Sequence, residues 1–113
     1  MKVVKVKINW FFEKRRIPPV IEEKERKKYR SYSPIIIIKG QYLGDWQNQP
    51  LWSSIIFNDE ISGKESIAKL TYLADEAPYE LLQVGAEFEL FEGPNKVASG
   101  VILEELNISP YDI

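Results

Sequence analysis

The chain has 113 residues, of which 44% are hydrophobic and 28% charged, which is the size and composition of one globular domain. It contains no cysteine and no histidine, which excludes disulfides and thiolate metal sites and removes the commonest metal ligand. The net charge of −2 is unevenly spread, because residues 1–30 carry eleven Lys or Arg and four Glu, whereas residues 31–113 carry four Lys and thirteen acidic residues.

The first predicted element is a long strand over Lys2–Phe12, where apolar residues alternate with lysines and an asparagine. Period two over this length indicates a strand with one buried face. Residues 13–30 break the pattern, because Pro18 and Pro19 interrupt both helix and ladder hydrogen bonds and the dense charges leave little to bury. We therefore predict a charged, mobile insertion after the first strand.

Two more strands are predicted in the middle of the chain. Four consecutive isoleucines make Ser33–Lys39 a strand that we expect to be buried on both faces. Residues 40–50 are rich in Gly, Asn and Gln and are predicted to be a loop. Leu51–Phe57 is the next strand, and the polar stretch Asn58–Glu65 is predicted to be a turn region.

The last three strands are predicted in the C-terminal part of the chain. Ser66–Leu73 alternates apolar and polar residues, and residues 74–85 are predicted to form a connection with one helical turn. Ala86–Glu92 and Val97–Leu106 are the last two strands, folded back on each other around residues 92–96.

Six strands and no convincing helix predict an all-β fold. Turn signals every 8–12 residues favour a sandwich or a closed barrel, since an open sheet would leave unpaired edges. Gly100 lies inside the last strand, where we expect a bulge or a sharp bend that curves the sheet.

One set of motifs resembles a known family. The pattern Leu82-x-x-Gly85-x-x-Phe88, followed by Glu92-Gly93 and by Val97-x-x-Gly100-Val101, resembles the end of the third, C-terminal domain of elongation factor Tu. Tyr32-Ser33-Pro34 before the isoleucines is similar to the Tyr-Arg-Pro of that family. The resemblance covers residues 2–106 and implies a six-stranded antiparallel Greek-key barrel. We expect one such domain over residues 1–113, in which the charged insertion after the first strand replaces a short turn of the family.

The departures from the family pattern concern basic residues. Ser33 and Phe91 stand where the family has arginine, and Pro94-Asn95 stands where it has a Gly-Arg pair. The chain also lacks the phosphate-binding loop of a GTPase. The resemblance therefore implies the fold of the translation-factor domain without its GTPase activity and with weakened support for transfer-RNA contacts.

The charged insertion is the first candidate contact surface. Its basic residues could contact phosphates, yet four interleaved glutamates would repel the same backbone. A solvated insertion, a protein-binding arm and an RNA contact all remain open. The basic residues that we single out are Arg15, Arg16, Lys27, Lys28 and Arg30.

The loop over residues 40–50 and its boundary carry large aromatic residues, Tyr42, Trp46 and Trp52. Such side chains are enriched at interface hot spots, which makes them a second candidate for partner binding. The alternative is that they fill one open end of the barrel as core side chains.

No residue pattern points to catalysis, a metal or a cofactor. The serines have no histidine partner, and the chain has no Gly-x-Ser-x-Gly motif. The paired carboxylates are expected to be solvent-exposed surface residues. We therefore expect a non-enzymatic binding module with a protein partner. An immunity protein that neutralises a toxin is the alternative, and an RNA- or tRNA-binding barrel is a further one.

The expected setting is the cytoplasm. Lysines interrupt any signal-peptide core near the N-terminus, and the longest purely apolar run, Ile35–Ile38, is far shorter than the roughly twenty residues of a membrane helix. We expect no membrane partner. We also expect a monomer or a weak homodimer, in which the strand Lys2–Phe12 could pair with a second copy.

Overall fold

The computed structural model describes residues 2–11, 33–40 and 50–109. It contains six β-strands and one short 3₁₀ turn, Tyr79–Leu81. No helix in these ranges is long and apolar enough to cross a membrane. Each predicted strand overlaps an observed one, and the expected single helical turn is present. The strands are β1 Val3–Trp10, β2 Ile35–Ile38, β3 Trp52–Ser62, β4 Glu65–Tyr72, β5 Glu87–Glu92 and β6 Asn95–Leu106.

The strands form a closed barrel in the order β1-β4-β3-β2-β5-β6, with β6 paired back to β1. Every neighbouring pair is antiparallel. The predictions of an all-β fold and of a closed antiparallel barrel are confirmed. Because β1 has a partner on both sides, it offers no free edge, and the expected strand pairing of this segment with a second copy is wrong.

The core lies inside the barrel and follows the alternation of the sequence. On β1 the residues Val4, Val6, Ile8 and Trp10 are buried, as their spacing predicts. The expectation that β2 is buried on both faces is only partly met. Two of its four isoleucines are buried and two are half-buried, so one face of this strand points away from the core. The other large side chains that complete the core are Ile56, Leu70, Tyr72, Leu82, Phe88, Leu90 and Ile102.

Two tight hairpins close one end of the barrel, which we call the hairpin end. The β5–β6 turn, Gly93-Pro94, falls within the predicted segment. The β3–β4 turn is only Gly63-Lys64. It lies within the turn region predicted over residues 58–65, but that region is too long, because β3 continues to Ser62 with a bulge at Asp59. Both glycines have positive φ, 60° for Gly63 and 57° for Gly93, which the first position of a type II′ turn requires.

Gly100 has a different role from the one we expected. It pairs in regular register with Ile8 and Phe88, and the shifts of the β6 register lie elsewhere, so there is no bulge at this glycine. A Cβ atom here would lie 2.6 Å from the carbonyl oxygen of Lys7 and would collide with the ring of Phe88. Glycine is therefore needed because a neighbouring strand and a core ring approach it closely.

Candidate functional site

Most of the predicted site residues fall outside the part of the chain that the structure describes. This holds for Tyr42 and Trp46 in the loop, and for all five basic residues of the insertion: Arg15, Arg16, Lys27, Lys28 and Arg30. Trp52 is described. It is half-buried, begins β3, and packs against the core, which fits the alternative that an aromatic residue fills one end of the barrel.

The two predicted surfaces are attached at opposite ends of the barrel. The insertion joins Phe11, where β1 has just ended, to Ser33, just before β2, and both flanking residues lie at the hairpin end. The aromatic loop joins Gly40 to Pro50 at the other end, between β2 and β3. The structure therefore does not bring the attachment points of the two surfaces together.

The second end of the barrel is closed by residues 73–86, which we call the cap. The cap connects β4 to β5, and these strands stand three places apart in a ring of six, on opposite walls. It therefore has to cross the mouth of the barrel. Leu82 and Ala77 point inward and join the core cluster, with 1% and 7% of their surface exposed. We call this end the cap end.

Hydrogen bonds hold the cap in one conformation. The hydroxyl of Tyr79 donates to the carbonyl of Ala74 at 2.9 Å, and its ring meets Tyr72 edge to face. At the far side, the N–H of Gly85 donates to the carbonyl of Ile102 at 2.8 Å. Lys2 Nζ donates to the carbonyl of Leu82 at 3.2 Å, so the cap is tied to β4, to β6 and to the residue just before β1.

The outside of the cap end is unusually apolar for a loop region. Val84, Leu73 and Leu51 are exposed by 65%, 56% and 49%, the three largest values among the large apolar side chains that the structure describes. All three lie at this end, because Leu73 follows β4, Leu51 precedes β3, and Val84 lies just before β5. Sequence patterns alone did not identify them, since their exposure depends on how the cap crosses the barrel.

Three carboxylates accompany these apolar residues. Asp75, Glu76 and Glu80 are exposed, and none has an ion-pair partner among residues 2–11, 33–40 and 50–109. The sequence did carry a signal for this surface. Residues 70–95 contain six acidic residues and no Lys or Arg, so that no cation is available nearby in the chain.

The hairpin end is organised differently, by polar contacts within the chain. Trp10 Nε1 donates to Ser66 Oγ at 2.8 Å, and Ser66 Oγ donates to Asn58 Oδ1 at 2.8 Å. This chain of hydrogen bonds ties β1 to the base of the β3–β4 hairpin. Lys96 pairs with Glu89 and also lies 5.5 Å from the centroid of the Phe11 ring.

A shallow pocket of about 80 Å³ lies beside β1, between Lys7, Glu60 and Glu65. Lys7 and Glu65 form an ion pair of 3.6 Å within it, and both side chains are largely exposed. An exposed pair of this kind holds the two charges in a solvated setting rather than in a shaped cavity. Within the described ranges there is no group of three or more metal-ligating side chains.

Comparison with known proteins gave no match to a family model, to a curated protein or to a solved structure.

Proposed function

We propose that the protein is a non-enzymatic protein-binding module built on a Greek-key barrel of the translation-factor type. The strand order supports the Greek-key part of the proposal. β2, β3 and β4 are consecutive neighbours, and β1 lies beside β4 at the end of that row. Three successive strands with a fourth returning beside the outer one is the Greek-key arrangement.

The residues that carry the resemblance to elongation factor Tu occupy restricted positions, which supports the same proposal. Leu82 and Phe88 are buried in the core, and Gly85 and Gly93 have φ values of 89° and 57°. Gly100 has no room for a side chain. A motif made of such positions reports on the path of the backbone, so a shared motif favours a shared fold.

The observation that carries protein binding is the apolar outside of the cap end. Apolar side chains on a soluble protein are usually scattered, whereas here Leu51, Leu73 and Val84, the three most exposed ones described, share one end. The predicted aromatic loop with Tyr42 and Trp46 is attached at this same end, between Gly40 and Pro50. We propose that a protein partner binds there.

Affinity capture from the native host, followed by mass spectrometry, tests the proposal. We expect a specific protein that survives nuclease treatment, binds the purified chain, and is lost or weakened in Trp46→Ala. Deletion of residues 13–30 tests the insertion as a second contact. Capture that depends on nucleic acid would favour the RNA-binding alternative, and absence of any specific protein would refute the proposal.

An immunity protein is a second candidate, favoured by the three carboxylates of the cap, which have no ion-pair partner among the described residues. Many proteins that act on nucleic acid are basic, and an acidic surface could bind and block such a toxin. Co-expression of this chain with a toxin encoded by a neighbouring gene would test this role. Restored growth of the toxin-producing cells would support it, and unchanged killing would contradict it.

A further inference from the structure

We infer that the cap end is a docking surface for a basic protein segment in which Lys or Arg residues flank an aliphatic or aromatic side chain. The inference rests on the proposed function and names the chemistry of the partner. The docking surface, called the cap face below, consists of Leu51, Leu73, Val84, Asp75, Glu76 and Glu80.

The apolar residues of the cap face are not needed to hold the barrel together. Ala77 and Leu82 from the same segment already close the mouth of the barrel from inside. Leu73 and Val84, by contrast, lie at the two ends of the cap with more than half of their surface in water. Burying them against a partner would remove apolar surface from water, which favours the complex.

The charges of the cap face decide the kind of partner. Elsewhere on the barrel several acidic side chains have lysine partners, as in Lys39–Glu87 at 3.5 Å and Lys69–Asp59 at 2.8 Å. The three cap carboxylates have no such partner in the described part of the chain, and the cap contains no Lys or Arg. A basic segment would supply the missing counter-charges, whereas an acidic one or a nucleic acid would be repelled.

The ordered backbone of the cap favours a high affinity for such a segment. The bonds from Tyr79 to Ala74 and from Gly85 to Ile102 fix the backbone on both sides of the exposed residues. A surface that is already ordered loses little conformational entropy on binding, so a larger share of the contact free energy appears as affinity.

Selection of random 16-residue peptides displayed on phage, with the full chain as the target, tests the inference. We expect the enriched peptides to combine at least two Lys or Arg with a large apolar residue. One enriched peptide is then synthesised and titrated by calorimetry at 50 and 200 mM NaCl. The affinity should fall at the higher salt, because screening weakens contacts between exposed charges.

Two sets of variants locate the site. The double variant Leu73→Ser with Val84→Ser should weaken the peptide about tenfold or more, as expected for the loss of apolar anchors. The triple variant Asp75→Asn, Glu76→Gln and Glu80→Gln should weaken binding at 50 mM NaCl and abolish its salt dependence. The matched controls are Ile61→Ser and Glu60→Gln near the hairpin end, which should bind as the wild type does.

Several results would overturn the inference. These are enrichment of acidic or uncharged peptides, no enrichment at all, or unchanged binding by both sets of cap variants. Amide shifts of a ¹⁵N-labelled sample that map to the barrel strands and not to residues 73–86 would place the peptide elsewhere. Shifts that change with protein concentration alone would identify a second copy as the occupant.

The inference and the proposed function fail in different ways. If the native partner is captured equally well by wild type and by the cap double variant, the cap face is not its docking surface, although the protein-binding function stands. If no native protein is captured, the proposed function fails whatever the selected peptides do.

Discussion

The described residues close the two ends of the barrel by different means, with two tight hairpins at one end and a longer crossing segment at the other. At the hairpin end, Gly63-Lys64 and Gly93-Pro94 join neighbouring strands with two residues each. At the cap end, residues 73–86 cross from one wall of the barrel to the other. A segment of that length has an inner and an outer face, and only the inner face is required to close the barrel.

The charged side chains of the strands and of the cap also differ. Along the strands, lysines pair with acidic residues, for example Lys69 with Asp59 and Lys96 with Glu89. The carboxylates of the cap have no counter-charge within the described ranges. The inner face of the cap therefore contributes to the stability of the barrel, whereas its outer face is available for binding. Four substitutions test this division, from the largest expected effect to the smallest.

The largest effect is expected for Leu82→Ala in the cap. Leu82 is 1% exposed and fills the mouth of the barrel, so its truncation removes buried methyl groups and leaves a cavity. We expect a loss of about 2–5 kcal/mol in the free energy of unfolding, measured by urea denaturation. Val84→Ala, two residues away and exposed, is the matched control and should stay within about 0.5 kcal/mol of wild type. Similar losses for both would show that the cap has no distinct inner and outer faces.

An intermediate effect is expected for Ser66→Ala at the hairpin end. The substitution removes the hydroxyl that accepts from Trp10 Nε1 and donates to Asn58. Because Trp10 and Ser66 are both buried, losing these contacts should cost about 1–3 kcal/mol in denaturant unfolding. Ser62→Ala, on an exposed position of the same hairpin, should be nearly neutral. Equal stability of the two variants would mean that the hydrogen-bond chain does not hold this end.

A smaller effect is expected for Gly93→Ala in the β5–β6 turn. Its φ of 57° is a left-handed conformation, which costs an L-residue with a Cβ about 1–2 kcal/mol. Lys64→Ala, in the other hairpin turn and at a position without positive φ, is the matched control and should be nearly neutral. Thermal unfolding of the two variants would measure the difference. If Gly93→Ala were as stable as Lys64→Ala, the turn would not require positive φ.

The sequence predicts the barrel well where a local pattern determines the structure. Alternation along β1 identifies its buried face, and Gly93 with Pro94 identifies the last hairpin, because both signals act over a few residues. The prediction failed over residues 58–62, where Asn58, Asp59 and Glu60 have the composition of a turn. Pairing with β4 keeps these polar residues in an extended strand, so a contact between strands overrides local preference.

The candidate site was harder to predict for a related reason. Leu73 and Val84 are apolar residues at the ends of a connection, and nothing in their spacing shows whether they point into the core or into water. Their exposure follows from the course of the cap across the mouth of the barrel, which is set by the strand order. The acidic run over residues 70–95 was visible in the sequence, but only the structure shows which of its members have lysine partners.

The smallest effect tests the charges directly. Glu89→Gln removes an ion pair with Lys96 whose side chains are 27% and 43% exposed, so we expect a loss of at most about 1 kcal/mol at low salt, and less at 1 M NaCl. Asp75→Asn with Glu76→Gln should cost nothing or stabilise slightly, because neutralising two neighbouring carboxylates relieves their repulsion. Urea denaturation at both salt concentrations measures both variants. If the cap variant lost as much stability as Glu89→Gln, its carboxylates would have a structural partner, and their availability to a basic ligand would no longer follow.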